Sequence, residues 1–243
     1  MSRFYVPKES VEGPRIVIRG KEAHHILDVM RLKVMDKVVT FDGTGKEYSG
    51  IIREADARSL IVEITDTRVL RSDKRAFITL IQAIPKKDKM DYIVEKGTEL
   101  GVDAIMPVIS ERTIVDWDEK KRASAVERWK RIALEASKQC GRADIPEISA
   151  IKSFNDLISM KTTFDLALIA ALSEGARPLK DTLAGFTAGK AAVAIGPEGD
   201  FVPAEIEGAR NAGFKLINLG TRVLKSDTAG LAVLAIMSYE FSS

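Results

Sequence analysis

The chain has 243 residues, of which 45% are hydrophobic and 30% charged, with a formal net charge of +2. This is the balance of a globular protein, and no apolar run approaches the roughly 20 residues that a membrane-spanning helix needs. Its one cysteine, Cys140, excludes an intrachain disulfide and a thiolate metal cluster, which favours a reducing cytoplasm.

The N-terminal part of the chain alternates short β-rich runs with turn residues. The expected strands are Arg3–Val6, Arg15–Ile18, Lys37–Phe41, Tyr48–Ile52 and Leu60–Ile64. Residues 42–45, Asp-Gly-Thr-Gly, predict a hairpin turn, and one helix is expected around Glu22–Met30. Several short strands with close turns predict a small barrel. A polar, charged linker at Leu70–Arg75 then divides the chain into domains at residues 1–73 and 74–243.

From Phe77 onward, continuous apolar runs alternate with helical segments. The expected strands are Phe77–Ile84, Ala104–Ile109, Leu166–Leu172, Ala191–Ile195 and Leu216–Leu219. The expected helices are Met90–Leu100, Ser124–Cys140, Pro203–Ala212 and Thr228–Phe241. This pattern is typical of an α/β fold, in which helices cover both faces of a parallel sheet.

The helix predicted at Ser124–Cys140 concentrates positive charge in a chain that is nearly neutral. Between residues 120 and 142 there are eight basic residues and two acidic ones. At 100° per residue one face is apolar and expected to be buried. That face consists of Ala125, Val126, Trp129, Ile132, Ala133, Ala136 and Cys140. Arg128 and Arg131 on the other face are either a solvated surface with intrahelical ion pairs or part of a phosphate-binding stripe.

Two glycine-containing turns mark a ligand site. The strand Ala191–Ile195 runs into Gly-Pro-Glu-Gly-Asp-Phe at 196–201 and then into a helix. This is the arrangement in which the carboxyl edge of a sheet binds a nucleotide-like ligand, because glycines let the backbone approach it closely. The fingerprints of dinucleotide and triphosphate sites are missing.

The second turn follows the strand Leu216–Leu219. Arg222, Lys225 and Asp227 crowd this short loop at the same edge of the sheet, where ligand sites form. Ser226 or Asp227 is expected to cap the final helix.

Segments 196–201 and 219–229 resemble the 16S (small-subunit) ribosomal RNA uridine-N3 methyltransferase family of the trefoil-knotted SPOUT methyltransferases. Arg3–Val6, His24–Leu32 and Glu135–Arg142 are similar to it in the same order, so the likeness spans nearly the whole chain. It implies a PUA-like β-barrel RNA-binding domain at 1–73 and a SPOUT-type knotted parallel-sheet methyltransferase domain at 74–243.

The chain departs from the family pattern at four positions. The family usually has glycine at Met35 and Asp200, arginine at Lys225 and glutamate at Asp227. Charge is kept at Lys225 and Asp227, but a lysine lacks the bidentate fork of arginine.

The resemblance implies methyl transfer from S-adenosylmethionine to a uridine in the decoding region of the small ribosomal subunit. It also implies a homodimer in the cytoplasm, with no membrane and no metal.

Adjacent His24 and His25 point in different directions on a helix, so core packing with a polar contact is favoured over metal binding for both. The residues implied for cofactor binding are Ala171, Leu172, Ser173, Gly196, Glu198, Gly199, Leu219, Gly220, Val223, Leu224 and Thr228.

The chemistry constrains the remaining roles. Uracil N3 carries a proton, so the enzyme should place cationic donors near O2 and O4, where negative charge spreads as that proton leaves. Arg142, which ends the basic helix, and Arg222 are the candidates. Asp227 either removes the proton or orients Arg222. The residues expected to contact RNA are Arg3, Arg31, Lys33, Arg128, Arg131, Lys138 and Lys225.

Other functions fit the residues less completely. A related SPOUT enzyme would methylate a ribose 2′-hydroxyl of ribosomal or transfer RNA. A ribosome-assembly factor would bind RNA without catalysis. A nucleotide-dependent oxidoreductase is disfavoured because the dinucleotide glycine motif and the ribose-binding acid are missing.

Overall fold

The computed structural model describes residues 3–70, 76–115, 117–160 and 164–242. Within them the chain forms two compact units, one from residues 1–72 with 137–145 and the other from 73–136 with 146–243. Most of the predicted linker, residues 71–75, lies outside the described part. None of the helices in the described part is long and apolar enough to cross a membrane.

The first unit contains a sheet with every strand that the sequence predicts for this region. Its elements are β1 (Arg3–Tyr5), β2 (Val11–Glu12), β3 (Arg15–Arg19), α1 (Gly20–His24), β4 (Lys37–Phe41), β5 (Lys46–Ala55) and β6 (Ser59–Val69). A 3₁₀ turn at Lys8–Ser10 and a π-helical turn at His25–Val29 complete it. The order is β1-β4-β5-β6-β3-β2 in the described residues; β1 pairs with β4 in parallel and the other neighbours are antiparallel.

The core of this unit follows from the two-residue period of its strands. In β3, Ile16 and Ile18 are buried while Arg15 and Arg19 are exposed, because successive side chains point to opposite faces. The helical segment adds buried Ala23 and Ile26 to the same core. His24 bonds Asp28, with 2.6 Å between His24 Nδ1 and Asp28 Oδ2, which confirms the expected polar contact. Its ring is exposed, so the expected core packing is wrong.

The turn predicted at residues 42–45 joins β4 to β5, and a buried carboxylate holds it. Asp42 accepts hydrogen bonds from the Thr44 N–H at 2.9 Å, the Thr44 hydroxyl at 2.7 Å and the Tyr48 hydroxyl at 2.9 Å. Burial, and secondly the bond to Asp42, raise the pKa of Tyr48 to about 12. The turn is therefore specified by its carboxylate as well as by its glycines.

Replacing Asp42 by alanine removes the acceptor of the buried Tyr48 hydroxyl and of the N–H and hydroxyl of exposed Thr44. We expect Asp42→Ala to lower the free energy of unfolding by about 1–3 kcal/mol, because the Tyr48 hydroxyl is left buried without a partner. Urea unfolding followed by circular dichroism measures this. Asp56→Ala is the control: Asp56 accepts similar bonds in the exposed turn between β5 and β6, and its loss should lower the stability much less because water can replace it. Equal losses in the two variants would contradict the role assigned to burial.

The second unit is the predicted α/β domain. Its strands are β7 (Ala76–Ala83), β8 (Ala104–Ile109), β9 (Glu147–Ile148), β10 (Lys152–Ser153), β11 (Leu166–Ala170), β12 (Arg177–Pro178), β13 (Gly189–Ile195) and β14 (Lys215–Asn218). The further helices of the chain are α2 (Lys89–Glu99), α3 (Glu119–Cys140), α4 (Phe154–Ser159), α5 (Leu179–Leu183), α6 (Pro203–Asn211) and α7 (Ser226–Glu240). The short elements β9, β10, β12, α4 and α5 were not predicted.

All described pairings in this sheet are parallel, and the strand order is β10-β8-β7-β13-β11-β14-β12, with β9 beside β8. The segment 191–195 of β13 is buried throughout, as expected for a strand covered on both faces. β11 lies between β13 and β14, although it precedes both in the chain. Because parallel neighbours end at the same edge, the loops after these three strands meet there.

Helix α3 begins five residues before its predicted start. Val126, Trp129, Ala133 and Ala136 are buried as the helical wheel predicts. Cys140 is exposed, so its assignment to the buried face is wrong. It is the last residue of the helix.

Candidate active site

The loops that follow β11, β13 and β14 enclose a cavity of about 270 Å³ at the carboxyl edge of the parallel sheet. Its walls are formed by residues 170–172, 195–198, 200, 217–220, 222–226 and 229. Eight predicted cofactor residues line it: Ala171, Leu172, Gly196, Glu198, Leu219, Gly220, Val223 and Leu224. The other three, Ser173, Gly199 and Thr228, lie beside lining residues in the same segments of the chain.

Two glycines give the cavity its shape for different reasons. A Cβ atom on Gly196 would lie 3.1 Å from both Asp200 Oδ1 and the Phe201 nitrogen, so the loop closes too tightly for a side chain. Gly220 has a φ of 109°, a left-handed backbone conformation that favours glycine. Phe201, at the end of the first loop, stacks on Phe154 with 4.4 Å between ring centroids.

A buried set of neutral hydrogen bonds holds the cavity floor. The Ser226 hydroxyl donates to the Gly196 carbonyl at 2.5 Å, and Gln82 Nε2 in β7 donates to Ser226 Oγ at 2.9 Å. Helix α7 starts at Ser226 with Lys225 as the N-cap, and neither Ser226 nor Asp227 caps it as predicted. That prediction is wrong because the Ser226 hydroxyl is occupied by a bond to another loop.

A second, charged set of contacts lies nearer the surface. Lys89 Nζ is 3.1 Å from Glu198 Oε1 and 3.6 Å from Asp227 Oδ1, and the Lys86 N–H also donates to Glu198 at 3.2 Å. The lysine at the start of α2 thus links the loop after β13 with the first turn of α7. The side chains of Lys89, Glu198 and Asp227 are about one-quarter to one-third exposed.

These contacts shift two pKa values. Burial raises the pKa of Glu198, but hydrogen bonds from its own backbone, from Lys89 and from Lys86 outweigh burial, so its pKa lies below the usual value. The hydrogen bond to Glu198 raises the pKa of Lys89 above its usual value, and Asp227 contributes in the same direction. Both partners of the bridge are therefore charged at neutral pH.

A further contact reaches this edge of the sheet from the loop after β8. Arg112 Nη1 donates to the Gly199 carbonyl at 2.5 Å. Beside it, the Glu111 N–H donates to Glu205 Oε1 at 2.9 Å, and the Glu205 side chain is buried at the start of α6. Local sequence patterns did not predict the roles of Gln82, Lys89 and Arg112, because these residues lie more than 80 residues from their partners. The feature of the sequence that points to them is their position in or just after the buried strands β7 and β8.

Of the three catalytic candidates, Arg222 and Asp227 belong to the second unit and Arg142 to the first. Arg222 is exposed and lines the cavity, and Asp227 contacts Lys89 at the start of α7. Arg142 belongs to the first unit, where its guanidinium forms a two-point ion pair with Asp144, with Nη2–Oδ2 at 2.5 Å and Nε–Oδ1 at 3.3 Å.

Two protein families match the chain. The RNA methyltransferase domain family matches residues 72–238, and the RNA methyltransferase PUA domain family matches residues 18–65. A ribosomal RNA small subunit methyltransferase E of Bacillus subtilis (strain 168) is 30% identical over 99% of this chain and 97% of its own length. The protein of the same name from Aquifex aeolicus (strain VF5) is 32% identical over 98% of this chain and 99% of its own. The chain belongs to the ribosomal RNA small subunit methyltransferase E family.

A solved structure supports the assignment. The crystal structure of a ribosomal RNA small subunit methyltransferase E from Neisseria gonorrhoeae, bound to S-adenosyl methionine, matches with a TM-score of 0.85 and 32% identity. The match covers 98% of this chain and 96% of that one. The chain described here is therefore an S-adenosylmethionine-dependent ribosomal RNA methyltransferase. The family, the α/β class with a parallel sheet, the ribosomal RNA methyltransferase activity and the cofactor inferred from sequence are confirmed.

The cavity has the chemistry that this cofactor needs. S-adenosylmethionine joins a flat adenine to a ribose, a sulfonium cation, an ammonium and a carboxylate. Leu172 and Val223 are 69% and 73% exposed beside the cavity, and such apolar side chains can contact a flat ring. The charged wall residues carry both signs: Glu198 and Asp200 are acidic, whereas Arg222 and Lys225 are basic. The residues present fit the cofactor, which supplies an electrophilic methyl group when bound.

The residues expected to contact RNA fall into two groups. Three are engaged in ion pairs: Arg3 with Glu47 at 2.5 Å, Lys138 with Glu22 at 2.7 Å, and Arg128 with Asp91. The other four, Arg31, Lys33, Arg131 and Lys225, are exposed. Arg128 pairs with Asp91 of α2, so its ion pair joins two helices and is not the intrahelical pair of the first interpretation.

The Glu198 bridge makes the stability of the enzyme depend on pH. Because the pKa of Glu198 is lower in the folded enzyme than in the unfolded chain, its stabilisation is complete above the unfolded value and is lost as pH falls through the folded value. We expect Glu198→Gln to melt below wild type at pH 7, with the difference shrinking between about pH 5 and pH 3. Glu207→Gln, on the exposed surface of α6, should show no such convergence. Differential scanning fluorimetry checks this; a pH-independent gap would contradict the assignment.

Proposed function

We propose that this enzyme methylates N3 of a specific uridine in the 16S ribosomal RNA of the small subunit, as a homodimer in the cytoplasm. The observation that carries the proposal is the cavity at the edge of the parallel sheet, with Arg222 in its wall and Asp227 beside it. The curated relatives are named for the small subunit, which supports the substrate class. The cofactor is proposed to occupy this cavity, held by the eight predicted residues that line it.

The two proposed domains have separate functions. Residues 1–73 would be a PUA-like RNA-binding domain and residues 74–243 a knotted methyltransferase domain. The match of residues 18–65 to a PUA family supports the first assignment. The trefoil knot is proposed from the resemblance of segments 196–201 and 219–229 to the SPOUT family, and the all-parallel pairing of the described strands in this sheet is compatible with that fold.

The proposed chemistry rests on positioning and on charge. Uracil N3 becomes nucleophilic when it loses its proton, and the resulting negative charge spreads to O2 and O4. Arg222 and Arg142 are proposed to donate hydrogen bonds to those oxygens and so stabilise the anion. Asp227 is proposed to accept the proton or to orient Arg222. The contact of Lys89 with Asp227 helps to keep this carboxylate in place.

The dependence on Arg142 tests this proposal. We expect Arg142→Ala to lower the rate of methyl transfer roughly 100-fold or more, because a donor to the developing charge is lost. Cofactor affinity, measured by calorimetry, should stay close to that of wild type. Arg68→Ala, which also breaks an ion pair with an aspartate two residues away in the first unit, is the matched control and should keep most of the rate.

The substrate assay uses small subunits from cells that lack the enzyme, and mass spectrometry of nucleosides identifies the product. A methyl group on N3 blocks Watson–Crick pairing and stops reverse transcriptase, whereas a ribose 2′-O-methyl group leaves pairing intact. Detection of 2′-O-methylation would refute the N3 proposal. A normal rate for Arg142→Ala would refute the role of Arg142.

The proposed homodimer is supported by apolar side chains on the final helix. Tyr239 and Ile236 of α7 are 82% and 43% exposed, although the helix is mostly apolar. We expect wild type to be a dimer by light scattering, and Tyr239→Lys to shift it toward monomer because a charge would be buried at the interface. Ile114→Lys, at an apolar position that is 69% exposed in the loop after β8, should remain dimeric. A monomeric wild type would refute the proposal.

A further inference from the structure

We propose that Asp200 is a positioning residue that ties two of the cavity loops together and thereby sets the affinity for S-adenosylmethionine. The inference rests on the proposed placement of the cofactor in the cavity. It concerns a residue that the sequence analysis treated only as a departure from a glycine.

The Asp200 carboxylate joins two loops that are distant in sequence. Its Oδ2 accepts a hydrogen bond from the Leu172 N–H at 2.9 Å, and its Oδ1 accepts one from the Phe201 N–H at 2.8 Å. Leu172 follows β11 and Asp200 follows β13, and these strands are parallel neighbours with Ala170 opposite Ile195. The bond to Leu172 therefore closes the gap between two adjacent walls of the cavity.

The backbone conformation of Asp200 indicates that its side chain has a structural role. Its φ is 61°, in the left-handed region that glycine adopts freely and that is strained for most other residues. Aspartate tolerates this region through local hydrogen bonds, and the bond to Phe201 is of that local kind. The bond to Leu172 is not local, and the turn itself does not require it.

The position of the carboxylate links this contact to ligand binding. Asp200 lines the cavity, and its Oδ1 lies so close to Gly196 that a Cβ atom there would be 3.1 Å away. The side chain therefore packs on the glycine that shapes the cavity while it holds the Leu172 loop. A loop that is already ordered loses less entropy when the ligand binds, so the free energy of binding is more favourable.

Calorimetry with S-adenosylmethionine tests the inference on Asp200→Gly and Asp200→Asn. We expect Asp200→Gly to raise Kd about 5- to 10-fold, equivalent to one hydrogen bond between loops. Its thermal midpoint without ligand should not fall, because glycine relieves the left-handed backbone. Asp200→Asn keeps one acceptor oxygen and should give an intermediate Kd.

A readout independent of the ligand is hydrogen exchange at the Leu172 amide, which should be at least roughly tenfold faster in Asp200→Gly than in wild type. Lys87→Gly is the matched control, since Lys87 also has a φ of 61° at this edge of the sheet. It should change neither Kd nor exchange at Leu172. An unchanged Kd in Asp200→Gly would overturn the inference.

A cavity-wall variant separates this inference from the proposed cofactor site. Val223→Asp puts a charge on an exposed apolar wall residue and should weaken cofactor binding if the cavity is the site. Weaker binding by Val223→Asp with an unchanged Kd in Asp200→Gly would overturn only the role of Asp200. Unchanged binding in Val223→Asp would overturn the cofactor placement and the inference together.

Discussion

The insertion of β11 between β13 and β14 is the constraint on which the active site depends. Parallel neighbours end at the same edge, so this order brings together three loops that lie between residues 170 and 229. None of these loops forms a cavity alone. The hydrogen bonds of the sheet determine where the loops start, and the buried alanine, valine and isoleucine side chains of β13 stabilise it because opening the sheet would expose them to water.

Contacts of three kinds then hold the loops against one another. The Gln82–Ser226–Gly196 set is buried and neutral, so its strength should vary little with salt or pH. The Lys89 bridge to Glu198 and Asp227 is partly exposed and charged, so solvent and ions weaken it. Asp200 joins the remaining pair of loops through a carboxylate and a backbone amide. Each loop of the cavity is thus held by at least one long-range contact.

In the first unit, some of the cations expected to bind RNA are paired with carboxylates. Arg3 and Lys138 have largely buried side chains and are paired with carboxylates, and the Arg3 guanidinium also lies over the Phe41 ring at 5.3 Å. Their ion pairs already hold these side chains in fixed conformations, so the side chains serve as parts of the folded structure. Arg31 and Lys33 are exposed and remain the more accessible cations for a phosphate backbone. The net charge of the chain therefore says little about where RNA can bind.

The sequence by itself determined the longer elements and the family. Short β-rich runs between turn residues located β3 and β4, continuous apolar runs located β8 and β13, and the glycine turns located the edge where the cavity lies. Local patterns suffice for these because periodicity and turn chemistry depend on neighbouring residues. The tertiary structure alone decided how the loops are joined. Lys89 and Glu198 are 109 residues apart and Gln82 and Ser226 are 144 apart. No local pattern encodes such pairs, since they exist only when the strand order brings their loops to one edge.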